Sequence, residues 1–139
     1  MAGYGVFAQV YDKLTLNVPY DQIAEYYDGK IRKFRDGDGN FLADAGCGTG
    51  NLTARLARLG YDVIGAEPSP DMLSEAMNKP HDGVQYICQD MTELDLYGEA
   101  DIIVSTLDSV NHLSSAADIT KFFRAAALNL RRGGLLLFD

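Results

Sequence analysis

Apolar positions in the first third of the chain follow the three- and four-residue spacing of amphipathic helices. Two helices are predicted, one on each side of Pro19, because proline interrupts a helix. The apolar face of the first holds Tyr4, Phe7, Tyr11 and Leu14, and that of the second holds Ile23, Tyr26, Tyr27, Ile31 and Phe34. The second helix is expected to end at the turn-forming Asp-Gly-Asp-Gly of residues 36–39.

From residue 40 onward, short apolar runs alternate with amphipathic stretches. Five strands are predicted, at 41–45, 61–66, 84–88, 101–105 and 135–138. Strands that alternate with helices predict an α/β fold, a parallel sheet with helices on both faces. The fully apolar run at 135–138 fits a sheet that is buried on both sides. Because such sheets bind ligands at the carboxyl ends of their strands, the polar residues there are the candidate site.

The helices between these strands have clear start and stop signals. The first is expected to end at Gly60, since glycine favours the position after a helix. Ser69 suits the N-cap of the second, with Pro70 at its first position and Asp71 at the positive end of its dipole. That helix is expected to stop before Pro80.

The last helix is predicted to begin with a capping box formed by Ser115 and Asp118. Its expected buried stripe holds Ile119, Phe122, Phe123, Ala126 and Leu130. Arg131 and Arg132 would complement the negative end of the helix dipole. Residues 133–134, both glycine, would then terminate the helix before the fifth strand.

A glycine-rich loop, Gly46-x-Gly48-x-Gly50, follows the first predicted strand and opens a helix. Glycines in such a loop permit positive φ and let a ligand approach the backbone. The dinucleotide fingerprint differs, because its third glycine comes three residues after the second, where this chain has Asn51. Asp44, two residues before the loop, would repel a pyrophosphate and attract a cation. A nicotinamide-dependent oxidoreductase is therefore disfavoured, and a tight turn without a ligand is the plain alternative.

Composition narrows the class of protein further. A net charge of −8 argues against a general nucleic-acid binder. No apolar run approaches the length of a membrane span, and the first residues lack the pattern of a signal peptide. Cys47 and Cys88 form no metal-binding motif and are expected to be free thiols in a reducing cytoplasm. The sequence thus predicts a cytoplasmic protein without a metal site.

Residues 42–73, LADAGCGTGNLTARLARLGYDVIGAEPSPDML, resemble the first two motifs of class I S-adenosylmethionine-dependent methyltransferases. The resemblance continues through YICQDM (86–91), TLDSVNHL (106–113) and LRRGGLLLFD (130–139), and YGVFAQVYDKL (4–14) is similar to the entry segment of small-molecule members. It implies a Rossmann-like fold with strand order 3-2-1-4-5-7-6. Residues 1–39 would form a helical cap and residues 40–139 a core without strands six and seven, as in a truncated chain.

The resemblance also assigns residues to S-adenosylmethionine, whose product is S-adenosylhomocysteine. It implies that the methionine portion is held by Asp44, Gly46, Cys47, Gly48 and Gly50, with Leu107 and Asp108 beside it. It implies that the ribose hydroxyls bind Glu67, next to Pro68, and that the adenine contacts Met72, Gln89, Asp90 and Met91. The alternatives are core packing for Met72 and solvated loop acids for Glu67 and Asp90.

Methyl transfer from a sulfonium depends mainly on alignment, and a protein base is needed only where the acceptor is protonated. His112, on the loop after the fourth strand, and Tyr11 are the catalytic candidates. A structural histidine is the alternative for the first. For Tyr11, a lid over the cofactor and core packing are both open.

The expected acceptor is a small molecule, since an acidic chain with a helical cap suits neither nucleic acid nor a large protein. A module that binds S-adenosylmethionine without transferring methyl groups is the second hypothesis. A fifth strand left at the sheet edge is a pairing hazard. The chain is therefore also a candidate homodimer through that edge.

Overall fold

A five-stranded parallel sheet forms the centre of the computed structural model, which describes residues 18–106, 113 and 115–139. Its strands are β1 (Phe41–Ala45), β2 (Asp62–Ala66), β3 (Gln85–Ile87), β4 (Ala100–Ser105) and β5 (Leu130–Phe138). They lie in the order β3-β2-β1-β4-β5, and every neighbouring pair is parallel. This confirms the predicted fold class and the order of these five strands. The strand order reverses between β1 and β4, so the switch point lies at their carboxyl ends.

Four α-helices surround the sheet in the described part of the chain. They are α1 (Tyr20–Phe34), α2 (Asn51–Arg58), α3 (Pro70–Met77) and α4 (Ala116–Asn129), and a 3₁₀ turn covers Met91–Glu93. Among the described residues, no helix is both long and apolar enough to cross a membrane. The first predicted helix lies outside these residues, and so does its face of Tyr4, Phe7, Tyr11 and Leu14.

Alternate side chains of the strands point into two separate cores, one on each face of the sheet. Ala43 of β1 and Ile103 of β4 pack with Phe122 of α4 on one face. Leu42 and Ile102, their neighbours in sequence, face the opposite core, which α1 and α2 cover. Because successive strand residues point to opposite faces, a strand buried on both must be apolar throughout. The prediction of helices on both faces is thus confirmed.

The buried face of α1 differs in part from the predicted one. The buried residues follow steps of four, three and four: Tyr20, Ala24, Tyr27 and Ile31. Tyr26 and Phe34, which were predicted to join this face, are 61% and 57% exposed. Tyr26 is rotated by about 100° from Tyr27 around the helix axis, and its ring packs edge-on against Tyr27 at the surface. The sheet therefore covers a narrower stripe than the sequence pattern indicated.

The predicted end of the last helix was wrong. Helix α4 ends at Asn129, and residues 130–134 already belong to β5. The Asn129 side chain donates to the carbonyls of Ala125 and Leu94 and accepts from the Leu96 amide, so it joins the end of α4 to a neighbouring loop. The predicted stripe also changes: Phe123 is at the surface, and Asn129 is buried in addition to Phe122 and Ala126.

Arg131 therefore binds another strand and does not complement the α4 dipole. Its Nε donates to Asp101 Oδ1 at 2.6 Å, and a terminal nitrogen donates to the Asp36 carbonyl. The strand register shifts here, because Ala100 pairs with Leu130 whereas Ile102 pairs with Leu135. Residues 131–134 form an irregular stretch within β5, where Gly133 has a φ of 81°. The two glycines serve this irregularity and do not terminate the helix.

Candidate functional site

The glycine loop lies at the carboxyl end of β1 and is anchored to the neighbouring strand. Gly46, Gly48 and Gly50 have φ values of 78°, 60° and 80°, in the left-handed region that disfavours other residues. The amides of Gly46 and Cys47 both donate to the carbonyl of Ala66, the last residue of β2, at 2.8 and 3.0 Å. A Cβ at Gly48 would meet no atom within 4 Å, so this turn of the loop borders open space. The positive φ values that the glycines were predicted to permit are thus present in the loop.

Asp44 is buried beneath this loop, and only one of its two carboxylate oxygens has a hydrogen-bond partner among the described residues. Its Oδ2 accepts from the Thr53 hydroxyl of α2 at 2.8 Å. Its Oδ1 is buried and has no hydrogen-bond partner within the described residues. Burial raises the pKa of Asp44 to about 6, the Thr53 bond lowers it, and the nearby Glu67 raises it further. A buried carboxylate oxygen without a partner is costly, so Oδ1 is a candidate contact for a donor or positive charge of a ligand.

Glu67, the first residue after β2, is also largely buried, at 6% exposure. Its Oε1 accepts from the Gly48 amide and its Oε2 from the Ser69 amide, each at 3.0 Å. Burial raises its pKa, while the two amide bonds lower it. Glu67 thus joins the glycine loop to the start of α3, and it is not the solvated loop acid that was the alternative.

Neither acid forms a salt bridge in the part of the chain that the structure describes. Without a basic partner, the negative charge of Glu67 makes the buried Asp44 carboxyl harder to ionise, and the charge of Asp90 does the same to Glu67. The site is therefore electrostatically incomplete and favours a positively charged ligand. The described residues hold no group of three or more side chains suited to a metal ion.

The start of α3 forms the next wall of the site. The Ser69 hydroxyl accepts from the Met72 amide at 3.3 Å, and Pro70 occupies the first turn, which confirms the predicted cap. Met72 is buried, at 4% exposure. Pro68 precedes the cap, and its carbonyl accepts from the Cys88 thiol at 3.5 Å.

The end of β3 carries Gln89, Asp90 and Met91. The Gln89 amide group is bound to the backbone of Asp95, donating to its carbonyl and accepting from its amide. Asp90 Oδ1 caps the 3₁₀ turn by accepting from the amide and hydroxyl of Thr92. The Met91 side chain is buried in the core on the α4 face. Asp90 also acts electrostatically on Glu67, which places the two acids in the same region.

Cys47 lies inside the glycine loop and is partly buried. Burial raises the pKa of its thiol well above the ordinary value, and the charges of Asp44 and Glu67 raise it further. A thiol in this setting stays protonated and is a poor nucleophile at neutral pH. Cys47 therefore belongs to the wall of the site and offers no nucleophile.

A cleft of about 500 Å³ opens elsewhere along the same edge of the sheet, between α1 and the end of β5. Tyr26, Tyr27 and Leu137 are among its lining residues, and the Tyr27 hydroxyl donates to Asp139 Oδ2 at 3.0 Å. This volume is of the size that takes a small molecule.

A family model described as a methyltransferase domain matches residues 42–134. The chain belongs to this methyltransferase family. The match begins inside β1 and includes both buried acids and the glycine loop. It confirms the family that the motif resemblance indicated.

Relatives of this chain include the putative methyltransferase YqeM of Bacillus subtilis strain 168, which is 35% identical over 139 residues. That match covers 98% of this chain and 54% of YqeM. A solved S-adenosylmethionine-dependent methyltransferase from Clostridium acetobutylicum has a TM-score of 0.78 and 33% identity, covering 97% and 56% of the two chains. CalS10, an amino pentose methyltransferase from Micromonospora echinaspora, has a TM-score of 0.82 and 30% identity, covering 92% and 55%. The chain spans about half the length of the curated relatives it matches.

The structure brings together Asp44, the glycine loop and Glu67, and it places Met72, Gln89, Asp90 and Met91 on the adjoining elements. The remaining predicted site residues, Tyr11, Leu107, Asp108 and His112, lie outside the described residues.

Two residues beneath the site were not singled out in the sequence. Thr53 is fully buried and binds Asp44, and Tyr86 of β3 lies under the glycine loop. Thr53 could have been recognised in the sequence, because it is a polar residue in the first turn of α2 between the apolar Leu52 and Ala54. No local pattern marks Tyr86, because its neighbours in space come from β2 and α2.

Proposed function

We propose that this chain is the S-adenosylmethionine-binding core of an enzyme that methylates a small-molecule acceptor. The main support for this proposal is that Asp44 is buried beneath the glycine loop and that its Oδ1 has no hydrogen-bond partner among the described residues. S-adenosylmethionine has an α-ammonium and a sulfonium, so it supplies the positive charge that this carboxylate lacks. When bound, it provides an activated methyl group.

Each predicted site residue is proposed to bind a particular part of S-adenosylmethionine. Asp44 and the loop of Gly46, Cys47, Gly48 and Gly50 hold the methionine portion. Glu67, next to Pro68, accepts from the two ribose hydroxyls, since each carboxylate oxygen has a second lone pair beyond the one that a backbone amide uses. Asp90 accepts from the adenine amino group, with Met72, Gln89 and the Met91 backbone around the ring. Leu107 and Asp108 lie beside the methionine portion.

The acceptor is proposed to be a small molecule. CalS10 is an amino pentose methyltransferase, and the cleft of about 500 Å³ between α1 and β5 is of a size that takes small molecules. His112 is the proposed base for a protonated acceptor, and Tyr11 a lid over the cofactor. The net charge of −8 supports neither nucleic acid nor an acidic surface as partner, and the free thiols support a cytoplasmic location.

Titration calorimetry of the 139-residue chain tests the binding part of this proposal. We expect micromolar binding of S-adenosylhomocysteine and no binding of NAD, because the buried acids repel a pyrophosphate. Tighter binding of NAD would overturn the assignment.

Transfer requires a second measurement, on the complete gene product with a methyl-labelled cofactor and a panel of amines and hydroxylated small molecules. We expect labelled product, with less of it from Tyr11→Phe and from His112→Ala, the latter at unchanged cofactor affinity. Binding without transfer to any acceptor would favour the second hypothesis, a module that holds the cofactor without using it.

A further inference from the structure

The Tyr86 side chain fills the space beneath the glycine loop. Tyr86 of β3 pairs in register with Gly65 of β2. A Cβ built on Gly65 would lie 2.8 Å from two carbons of the Tyr86 ring. A Cβ built on Gly50, at the start of α2, would overlap the Tyr86 hydroxyl. The ring thus occupies the room left by two missing side chains, and its hydroxyl ends at the N-terminus of α2.

Burial raises the pKa of the Tyr86 hydroxyl, while the Thr53 side chain of α2 lowers it, so the two side chains lie close together. Thr53 donates to Asp44 Oδ2 at 2.8 Å, and its side chain is fully buried. A threonine hydroxyl has one proton to donate, and the Asp44 carboxylate takes it. This bond joins α2 to β1.

The Thr53 bond decides which oxygen of Asp44 is available. Oδ2 is occupied by Thr53, and Oδ1 is left without a partner among the described residues. The loss of the Thr53 bond would let the carboxylate rotate, since the Cβ–Cγ torsion of aspartate is broad. We propose, on the basis of the function proposed above, that Thr53 is a positioning residue that holds Asp44 with Oδ1 toward the cationic methionine portion of the cofactor.

The charge state of Asp44 provides a readout that a packing role would not change. The titratable groups that act on this region are Glu67 after β2, Cys47 in the loop, Tyr86 on β3 and Tyr27 on α1. Thr53 opposes the effects of burial and of Glu67, because its bond lowers the pKa of Asp44. Without this bond the carboxylate protonates at higher pH, and the acid limit of cofactor binding moves upward.

The test compares four variants of the 139-residue chain. Thr53→Val and Thr53→Ala remove the bond, and Thr53→Ser keeps the hydroxyl. Tyr61→Phe is the matched control, because the Tyr61 hydroxyl donates to Asp28 at 2.6 Å in the core on the α1 face. Binding of S-adenosylhomocysteine is measured by calorimetry from pH 5 to 8, and the Asp44 carboxyl is titrated by NMR without ligand.

We expect Thr53→Val and Thr53→Ala to weaken binding about tenfold, the scale of one hydrogen bond to a charged group. Both should raise the Asp44 pKa and shift the acid limit of binding upward, whereas Thr53→Ser and Tyr61→Phe should stay near wild type. If Thr53→Val does not fold, Thr53→Ala and Thr53→Ser still decide.

The positioning role would be overturned if the wild type binds S-adenosylhomocysteine and the variants without the Thr53 hydroxyl lose only thermal stability, with the wild-type Asp44 pKa and affinity. A wild type that binds no S-adenosylhomocysteine would instead refute the proposed function, and the inference with it.

Discussion

The Gly48 amide donates to Glu67 Oε1 at 3.0 Å, so the tip of the glycine loop and the acid at the end of β2 hold one another. The other oxygen of Glu67 accepts from the Ser69 amide at the start of α3. The Glu67 side chain thereby connects the glycine loop, the end of β2 and the start of α3, which surround the site. Glu67 consequently has a structural task in addition to the proposed binding of the ribose.

Replacing Glu67 tests both of these tasks. Glu67→Ala should weaken binding of S-adenosylhomocysteine by roughly 1–3 kcal/mol, the scale for hydrogen bonds to a charged group. The chain should stay folded, because the cores on the two faces of the sheet do not include this residue. Glu25→Ala, at an exposed acid of α1, is the control for the loss of a negative charge. Unchanged affinity together with reduced stability would show that Glu67 is only structural.

Asp44→Asn should abolish cofactor binding and stabilise the ligand-free protein. The pKa of Asp44 is about 6 when folded, above its ordinary 3.8, so the folded state prefers the neutral form. Its contribution to stability is complete below about pH 4 and is lost as pH rises to about 6. At pH 7.5 the variant should gain roughly 1–3 kcal/mol in the free energy of unfolding.

Urea denaturation at pH 4.5 and pH 7.5 would measure this effect. The gain from Asp44→Asn should be smaller at the lower pH, where the wild-type carboxyl is already largely protonated. An equal loss of stability at both values would show that Asp44 is a structural acid and would remove the main support for a cationic ligand.

Cofactor binding should itself depend on the same ionisation. An ionised Asp44 attracts the ligand and a protonated one does not, so affinity should decline as pH falls through about 6. Calorimetry across this range, with ionic strength held constant, would follow the decline. Affinity that is flat down to pH 5 would contradict the role of this charge.

The Arg131–Asp101 pair should stabilise the fold without affecting the site. Asp101 accepts from Arg131 with one oxygen and from the Phe41 amide with the other, so it joins β4, β5 and β1. Arg131→Ala should therefore lower the free energy of unfolding by about 1–2 kcal/mol at unchanged cofactor affinity. Arg132→Ala, at its exposed neighbour, should have little effect. If both variants lose the same free energy of unfolding, the effect comes from the loss of a positive charge and not from the Arg131–Asp101 pair.

The outer edge of β5 is proposed to pair with a second copy of the 139-residue chain. Within the described residues β5 is the last strand of the sheet, and Phe138 is 49% exposed beside it. Unpaired strand edges recruit partners. Sedimentation velocity should show concentration-dependent dimers that Phe138→Asp disrupts, while Tyr97→Asp, at a loop aromatic that is 90% exposed, leaves them intact. A monomer at all concentrations, with strongly protected amides at 135–137, would refute the pairing.

Much of this protein follows from short stretches of its sequence. The Ser69–Pro70 start of α3, the Ser115 cap of α4 and the apolar strands were all predicted, and the structure confirms them. The positive φ values of the glycine loop were also foreseeable. Each signal acts within about one helical turn or one strand, so the chain needs no distant contact to express it.

Only the tertiary structure decided where α4 ends and which oxygen of Asp44 is free. Residues 130–134 extend along β4 because Arg131 finds Asp101, thirty positions earlier in the chain, and this contact prevails over a local glycine signal. Thr53 and Tyr86 lie close together beneath the loop because α2 covers the face of the sheet on which the Tyr86 side chain packs. Burial, strand register and hydrogen-bond partners are set by elements that are distant in sequence, so a local pattern cannot determine them.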